Sequence, residues 1–202
     1  MKALDRYPCT VILDDGKEVI LRPLAKTDKA RLTDFFGAVP LEDRLYLRDN
    51  VTDRTLIARW VDNLDFDRVL PIVAVYREEI IGDIILERCC LEWKRHLGNV
   101  RILVSRKFQN KGLGRTLIRE MNTVASELGL EKLTVEIPVN PSTLGAIKAF
   151  SYCGFQRVAM LDGLVKDQQG RYSSLLVMIH DLRPSFQERL RGIRESSDEE
   201  AG

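Results

Sequence analysis

Hydrophobic and polar positions between residues 99 and 129 follow two different periods, and the change divides the segment into a strand and a helix. Val100, Ile102 and Val104 recur at every second position, which is typical of one face of a β-strand. After a polar loop, apolar residues recur at spacings of three and four, as on one helix face: Leu113, Leu117, Met121, Val124 and Leu128. Gly129 then supplies a C-terminal stop. The pattern predicts a strand–loop–helix unit.

The N-terminal half of the chain shows one strand, three helical segments and a hairpin. EVILRPL (18–24) predicts the first strand, and helical periodicity from Asp28 to Phe36 follows, with Asp28 as the N-cap. LEDRLYL and DRTLIARWVDNL are two further helical segments, and the second carries one apolar stripe of Leu56, Trp60 and Leu64. VLPIVAVYR and EIIGDIILERC are apolar runs joined by a short charged link, which predicts an antiparallel hairpin.

The C-terminal half continues the alternation of strands and helices. KLTVEIP (132–138) predicts a strand, and STLGAIKAFSYC predicts a short helix with Ser142 or Thr143 as its cap. FQRVAML and YSSLLVMIHDL complete the sheet, and the polar DGLVKDQQG between them predicts a mobile connection. The chain therefore divides into a lead-in (1–17), one domain (18–182) and a polar tail (183–202), for which a short surface helix and a frayed end are expected.

Composition narrows the class of protein. A chain of 202 residues fits one domain of about 150 residues plus a tail. The 31 basic and 30 acidic side chains leave a net charge of +1, which argues against a nucleic-acid partner. The N-terminus lacks a signal-like apolar core, and no run approaches the roughly 20 apolar residues of a membrane span. We expect no membrane association and a cytoplasmic location.

The cysteines and histidines predict neither a metal site nor nucleophilic catalysis. The four cysteines form no secreted disulfide framework and no C-x-x-C metal spacing: Cys9, Cys89, Cys90 and Cys153. A catalytic cysteine needs a histidine partner, and only His96 and His180 are present, in segments typical of a solvated turn and a packed strand. We therefore expect reduced, mostly buried thiols.

The loop QNKGLGR (109–115) carries the strongest chemical signal. A glycine-spaced turn that leads into a helix exposes backbone N–H groups at the positive end of the helix dipole, where phosphate binds well. Gly112 and Gly114 allow close approach to the backbone, and Lys111 and Arg115 add positive charge. The spacing fits neither a P-loop nor the dinucleotide fingerprint. A tight turn in which the glycines only permit the bend remains the alternative.

This loop in its context resembles the GNAT family of acetyl-CoA-dependent N-acetyltransferases. That family has Gln/Arg-x-x-Gly-x-Gly/Ala between a strand and a helix, and Gln109 to Gly114 match every specified position. LRPLAKTD near the start, and an AI pair followed by GF (Ala146, Ile147, Gly154 and Phe155), extend the resemblance over residues 18–182. It implies an α/β (α+β) fold with a mixed, mostly antiparallel sheet of about seven strands, flanked by helices and splayed between the fourth and fifth strands.

The resemblance also implies a cosubstrate and the residues that bind it. The cosubstrate is acetyl-CoA or another acyl-CoA. Loop amides would hold the pyrophosphate, and Leu103 and Val104 would pair with the pantetheine arm. Asn140 would contact that arm, although a turn or cap role is equally open for it. The implied binding residues are Leu103, Val104, Gln109, Asn110, Lys111, Gly112, Leu113, Gly114, Arg115, Thr116, Asn140 and Phe150.

The implied mechanism is direct transfer of the acyl group to a neutral amine, with a backbone N–H near Val104 steadying the oxyanion. A lysine-like amine is almost wholly protonated at neutral pH, so a base or a water chain is expected. Many relatives carry glutamate where this chain has Asn99, and asparagine cannot act as a base. Glu136 and Glu87 are the candidate bases to test in its place. The alternative is that both are solvated carboxylates on their strands.

The leaving-group side departs from the family as well. Many relatives carry tyrosine where this chain has Phe150. Tyr152 lies about 200° further around the helix and is predicted to point away from the site. Tyr172 on the final strand is the remaining candidate acid, although cross-strand packing would explain it equally well.

Two function classes stay open at this stage. The first is an N-acetyltransferase that acts on a primary amine of a small molecule, an amino acid or a protein. The second is a CoA-binding regulatory module with little or no catalysis, which the missing glutamate and tyrosine favour. Loops such as 37–53 and 162–171 would select the acceptor. A homodimer is compatible with the resemblance.

Overall fold

The computed structural model describes residues 2–44, 47, 49, 51–167 and 169–183. Its strands are β1 (Cys9–Ile12), β2 (Glu18–Pro23), β3 (Val69–Tyr76), β4 (Glu79–Arg88), β5 (Leu97–Val104), β6 (Lys132–Pro138), β7 (Gln156–Lys166) and β8 (Tyr172–Asp181). Its helices are α1 (Lys29–Gly37), α2 (Leu41–Arg44), α3 (Arg54–Asp62), α4 (Leu113–Glu127) and α5 (Leu144–Tyr152). The predicted strand–loop–helix unit is therefore β5, the loop and α4.

The strands form one sheet in the order β1-β2-β3-β4-β5-β6-β8-β7. Only β5 and β6 pair in parallel, and the other neighbours are antiparallel. The mixed, mostly antiparallel fold is confirmed, with eight strands in the described residues instead of about seven. The additional strand, β1, lies in the segment read as a lead-in, because its four residues are too short to show a period. The domain limits 18–182 stay a prediction.

Each face of the sheet has its own apolar core. On one face α4 packs through residues with no solvent exposure, among them Leu113, Leu117 and Met121, against Ile84 and Leu86 of β4. Burying a side chain of this size stabilises the fold by about 1.5–3 kcal/mol. On the opposite face α1 and α3 form a second cluster, in which their Leu32, Phe36, Ile57 and Val61 pack against Val73 and Val75 of β3.

The sheet opens between β5 and β6. These strands pair only where Leu97 to Asn99 meet Lys132 to Thr134, and beyond that register the two strands diverge. Gly98 lies at the closed end, where a Cβ atom would come within 2.6 Å of Leu86 and 2.9 Å of both Leu130 and Leu133. The predicted splay is confirmed. The strands expected as fourth and fifth are β5 and β6 here, because the additional strand β1 raises each number by one.

The apolar stripe predicted for α3 is only partly buried, although its Trp60 and Leu64 pack against the second cluster. Ile57 and Val61 are fully buried, whereas Leu56, Trp60 and Leu64 are partly exposed and line a cleft. Spacing alone could not separate the two stripes, because both recur every four residues.

The segment predicted as a mobile connection is largely strand. β7 runs to Lys166, and a register shift between Leu161 and Val165 absorbs the residues that looked irregular. The turn that follows is held by the buried Asp167 carboxylate, which accepts bonds from the amides of Gln169 at 2.8 Å and Arg171 at 2.9 Å. A buried carboxylate with several donors fixes a turn that a polar sequence suggests is loose.

Asp28 and Thr143 occupy the predicted N-cap positions of α1 and α5, but neither side chain bonds to an amide of its helix. Asp28 precedes α1, but its carboxylate binds Arg22 and the Ala25 amide instead of an α1 amide. Thr143 and Ser142 belong to a short 3₁₀ turn before α5, and the side chain of Asn140 caps that turn. The helix expected in the tail falls on residues 184–202, outside the described residues. No helix in the described ranges has the length and apolar character needed to cross a membrane.

Candidate functional site

The loop between β5 and α4 reverses the chain and presents a helix N-terminus to solvent. Asn110 and Gly112 adopt positive φ values of 58° and 84°, which turn the backbone into α4. The Thr116 amide bonds to the Gly112 carbonyl at 3.0 Å, so it is the first amide of the helical ladder. The amides of Leu113, Gly114 and Arg115 precede it and have no acceptor within the helix. Three N–H groups and the helix dipole therefore favour an anion at this end.

The two loop glycines serve different purposes. Gly112 needs its positive φ, and a Cβ atom there would lie 2.8 Å from a carboxylate oxygen of Asp14. Gly114 has no positive φ, and a Cβ atom there would meet nothing within 4 Å. The fold therefore requires glycine at 112, whereas at 114 glycine leaves open space beside the helix amides. Open space next to unpaired amides fits a phosphate group.

The basic residues of the loop are held by an acidic turn between β1 and β2. Lys111 Nζ lies 3.1 Å from the Asp15 carboxylate, and Arg115 lies 2.7 Å from the Asp14 carboxylate. The Asp14 amide also donates to the Lys111 carbonyl at 3.0 Å. Bonds from Lys17 and then Lys111 lower the pKa of Asp15 to about 2. In this structure the carboxylates of the turn take the place that an external anion would take beside these cations.

The remaining loop residues shape the turn. Gln109 donates through Nε2 to the Val104 carbonyl at 3.1 Å, and the Thr116 hydroxyl donates to the Gly112 carbonyl at 3.2 Å. The Leu113 side chain is fully buried, so this residue can reach a ligand only through its backbone. Leu103 and Val104 lie on the part of β5 that has diverged from β6. Their strand edge leads directly into the loop before α4.

These features border one open cleft of about 1940 Å³. One wall is the diverging edge of β5 with the loop, and the opposite wall is β6 with the start of α5. The floor continues onto the sheet face that carries α1 and α3, where Phe36, Leu56, Trp60 and Leu64 line it. The cleft therefore joins the loop before α4 to a partly apolar chamber.

A polar cluster from β4 and β5 lies on that sheet face. Glu87 and Asn99 are directly paired across the strands, and Asn99 Nδ2 donates to the Glu87 carboxylate at 3.1 Å. Arg101 approaches the other Glu87 oxygen at 2.6 Å and Asp49 at 3.7 Å. Glu87 lines the cleft and Asn99 does not, within the described part of the chain. Where many relatives carry a carboxylate at position 99, this chain has the Glu87 carboxylate on the neighbouring strand, and Asn99 donates a hydrogen bond to it.

Asp83 is a residue that the sequence analysis did not single out. It lies on β4 and lines the cleft with 5% of its surface exposed. Burial raises the pKa of its carboxyl to about 7, and the positive charge of Arg101 opposes this shift. The signal was available in EIIGDIILERC, where one acidic residue interrupts an apolar strand. A charged group in a buried strand is costly unless it is paired or protonated.

Other predicted residues are spread unevenly around the cleft. Glu136 lines it from β6 as an exposed side chain. Tyr172 is 70% exposed beneath Lys166 and lies outside the cleft lining, as far as the described residues define it. The Asn140 side-chain oxygen accepts from the amides of Ser142 and Thr143 at 2.9 and 3.2 Å. Asn140 thus has the cap role that its sequence position left open, and its contact with pantetheine stays a prediction.

The aromatic residues of α5 correct one prediction. Phe150 borders the cleft but has no exposed surface, and its ring packs edge-on against Phe155 at 4.8 Å. Tyr152, predicted to point away, lines the cleft with Arg115 and Arg119 stacked 5.3 and 5.2 Å from its ring centre. The prediction was wrong because rotation away from the buried Phe150 brings Tyr152 to the exposed side that faces α4.

Comparison with known proteins connects this geometry to one family. Residues 68–157 match the model described as an acetyltransferase (GNAT) domain. The GNAT domain of S. lividans PAT is similar in structure, with a TM-score of 0.70, 21% identity, and coverage of 86% of this chain and 96% of that chain. Ribosomal-protein-alanine N-acetyltransferase from Brucella melitensis is similar in structure too, with a TM-score of 0.69 and 21% identity. The match covers 80% of this chain and 98% of that chain.

A third similar structure contains a ligand. It is yncA, a putative acetyltransferase from Salmonella typhimurium, described with its cofactor acetyl-CoA. Its TM-score is 0.70 at 20% identity, over 83% of this chain and 96% of that one. The matched segment 68–157 contains β4, β5, the loop and α4, so it covers both the N-terminal amides of α4 and the polar cluster of the cleft.

Proposed function

From the premise that this chain carries a GNAT acetyltransferase domain, matched over residues 68–157, we propose that it transfers an acetyl group from acetyl-CoA to a primary amine. The observation that carries this proposal is the diverging edge of β5, which leads without interruption into the exposed amides of α4. A strand edge can pair with an extended amide-bearing chain, and a helix N-terminus can bind phosphate. The pantetheine arm and the pyrophosphate of CoA therefore each have a matching surface in one cleft.

Acetyl-CoA supplies the activated acyl group as a thioester. The amides of Leu113, Gly114 and Arg115 would bind its pyrophosphate, with Lys111 and Arg115 contributing charge. Leu103 and Val104 would hold the pantetheine arm along the open strand edge, and an N–H of this edge would steady the oxyanion. Fixing the two reactants in one cleft accounts for much of the rate enhancement that direct acyl transfer needs.

The acceptor end of the cleft suits an amine. Asp83, Glu87 and Glu136 all border the cleft, and carboxylates attract a protonated amine. The apolar chamber beside them, which includes Phe36 and Trp60, would hold the carbon frame of the acceptor. Whether that frame belongs to a small molecule, an amino acid or a protein remains a prediction, as do the cytoplasmic location and a homodimer.

Thiol release tests the proposal directly. Purified protein is incubated with acetyl-CoA and a panel of amines, peptides and polyamines, and free CoA thiol is measured with a chromogenic disulfide. We expect thiol release that depends on the acceptor, together with an acetylated product of the matching mass. Acetyl-CoA hydrolysis without acetylated acceptor, or no thiol release with any amine, would count against an N-acetyltransferase.

A CoA-binding regulatory module is the second candidate. It is favoured by two positions: Asn99, where many relatives carry glutamate, and the buried Phe150, where many carry tyrosine. In that case CoA would raise the melting temperature, but no amine in the panel would release thiol. The thermal shift and the thiol assay together separate the two functions.

The acidic turn between β1 and β2 gives a further prediction. Asp14 and Asp15 pair with Arg115 and Lys111, so a bound phosphate must compete for these cations. Exposed ion pairs are worth about 1 kcal/mol or less each. The double variant Asp14→Asn/Asp15→Asn should therefore bind CoA roughly 3- to 10-fold more tightly, by about 0.6–1.4 kcal/mol.

Titration calorimetry at low and high salt checks this result. The gain should shrink at high salt, because screening weakens exposed pairs. Asp5→Asn/Asp34→Asn is the control, since it changes the net charge equally at exposed positions away from the loop. Weaker CoA binding in Asp14→Asn/Asp15→Asn would mean that the turn supports the site instead of competing with it.

A further inference from the structure

Asp83 occupies the centre of the sheet face that forms the acceptor end of the cleft. On one side it is paired with Val73 of β3, and on the other with Leu103 of β5. Both neighbours belong to the apolar cluster that α1 and α3 complete. Its carboxyl group is therefore buried beside this apolar cluster and lines the cleft.

The charged side chains around Asp83 pair with other groups, and in the part of the chain that the structure describes its carboxylate has a hydrogen bond only from a backbone amide, its own. Among the described residues, its carboxylate has no hydrogen bond or ion pair to another side chain. Arg101 of β5 is the charge that acts on it, yet the terminal nitrogens of Arg101 are directed to Glu87 at 2.6 Å and Asp49 at 3.7 Å. Val73 of β3, which is paired with Asp83, and Leu32 and Phe36 of α1 belong to the apolar cluster on this face of the sheet.

This environment has a chemical consequence. An unpaired buried carboxylate prefers to be neutral, and the pKa of Asp83 is accordingly raised to about 7 by burial. Near neutral pH such a group exchanges a proton readily, which is the property required of a general base. A purely structural role would require bonds that hold neighbouring elements together, and the described residues provide none.

The position along the strand also fits. Asp83 lies directly opposite Leu103, the residue whose open strand edge is proposed to hold the pantetheine arm. Glu87 lies four residues further along β4, roughly 13 Å away, and its oxygens are bound by Asn99 and Arg101. Glu136 is exposed on β6. Asp83 is thus the carboxylate that is both buried in the cleft and adjacent to the edge where the acyl group would lie.

We propose that Asp83 is the catalytic base that takes the proton from the ammonium group of the acceptor, an inference that rests on the proposed N-acetyltransferase function. An N–H bond of the ammonium breaks as an O–H bond forms on Asp83, and the amine keeps the electron pair with which it bonds to the acyl carbon. The C–S bond then breaks, the thiol leaves with the second amine proton, and Asp83 returns its proton to water. Glu87 acts as a positioning residue, because it holds Arg101 away from Asp83.

The first test compares wild-type protein with Asp83→Asn, using the acceptor amine found active in the thiol assay. The ratio of the two kcat/KM values cancels the ionisation of the amine in solution. We expect a ratio of about 4 at pH 5.5 and a plateau of about 100-fold above pH 8, with its midpoint near the pH at which Asp83 ionises. A ratio that is constant across pH would overturn the proposal.

The second test needs no activity. In free protein labelled with ¹³C at aspartate carboxyls, the resonance that disappears in Asp83→Asn should titrate near neutral pH. Glu87→Gln should move that titration to lower pH, since Arg101 becomes available to Asp83, and should move the midpoint of the kcat/KM profile in the same direction. If Asp83→Asn does not fold, the shift of the kcat/KM midpoint between wild type and Glu87→Gln tests the role of Asp83 by itself.

These outcomes are distinguishable from failure of the proposed function. A wild-type protein that binds CoA but releases no thiol refutes the transferase and leaves this inference without a reaction. An active wild type whose Asp83 resonance titrates near pH 4, or does not move in Glu87→Gln, refutes the role of Asp83 or of Glu87 respectively.

Discussion

Gly114→Val is expected to weaken CoA binding by at least about 100-fold while leaving the free protein folded. A side chain at 114 would meet nothing within 4 Å in this structure, and the residue has no positive φ. Valine also has a somewhat better helix propensity than glycine. The side chain would instead fill the space beside the first amides of α4. Loss of two charge-assisted hydrogen bonds to phosphate corresponds to about 3–6 kcal/mol.

Thermal melting with and without CoA measures this effect. Ligand at 100 times its Kd stabilises the native state by about 2.7 kcal/mol, which corresponds to roughly 5–11 °C for a domain of this size. Gly114→Val should keep the melting temperature of the free protein and lose this shift. Gly37→Val is the matched control, because position 37 ends α1 with equally open space and lies outside the cleft lining. A full CoA shift in Gly114→Val would refute this loop as the pyrophosphate site.

The structure argues against the apparently equivalent change at Gly112. There the positive φ disfavours any side chain, and the added Cβ would press on Asp14. Loss of CoA binding in Gly112→Val would therefore combine a damaged turn with a filled site. Only the change at 114 separates ligand exclusion from unfolding.

Asp83→Asn should stabilise the free protein at alkaline pH and leave it nearly unchanged at acidic pH. The Asp83 pKa is about 7 in the folded protein and about 3.9 in an unfolded chain, so the native state binds more protons between these values. The stability of the wild type therefore falls as pH rises through this window and levels off above pH 7. A shift of about three units corresponds to roughly 4 kcal/mol, or about 8–16 °C in melting temperature.

The difference between wild type and variant isolates this residue from other titrating groups. Unfolding free energies from urea titrations at pH 3.5 and pH 8.5 should give a small difference at the first pH, which lies below both pKa values, and several kcal/mol in favour of asparagine at the second. Asp34→Asn, on the exposed surface of α1, is the control and should change stability by no more than about 0.5 kcal/mol at either pH. Equal destabilisation of Asp83→Asn at both pH values would show that the carboxylate has a stabilising partner.

Local pattern was sufficient for much of the fold. The β3–β4 hairpin, the β5–loop–α4 unit and β6 follow from apolar spacing and from Gly129, which has a φ of 76° at the end of α4. These signals survive because each residue concerned faces one environment, either core or solvent, along its whole element. β1 and the extended end of β7 were missed, because a four-residue strand and a register shift leave no period to detect.

The site divides in the same way. The sequence by itself indicated the loop before α4 as a candidate anion site, since glycines and basic residues before a helix act through their own backbone and neighbours. It could not determine which of two similar stripes of α3 is buried, nor that Tyr152 faces α4. It also could not identify Asp83, whose chemistry depends on residues far apart in sequence: Val73 and Leu103 beside it, and Glu87 and Asp49 drawing Arg101 away. Backbone conformation is set locally, whereas the proton affinity of a buried carboxyl is set by what surrounds it, and only the tertiary structure decides that.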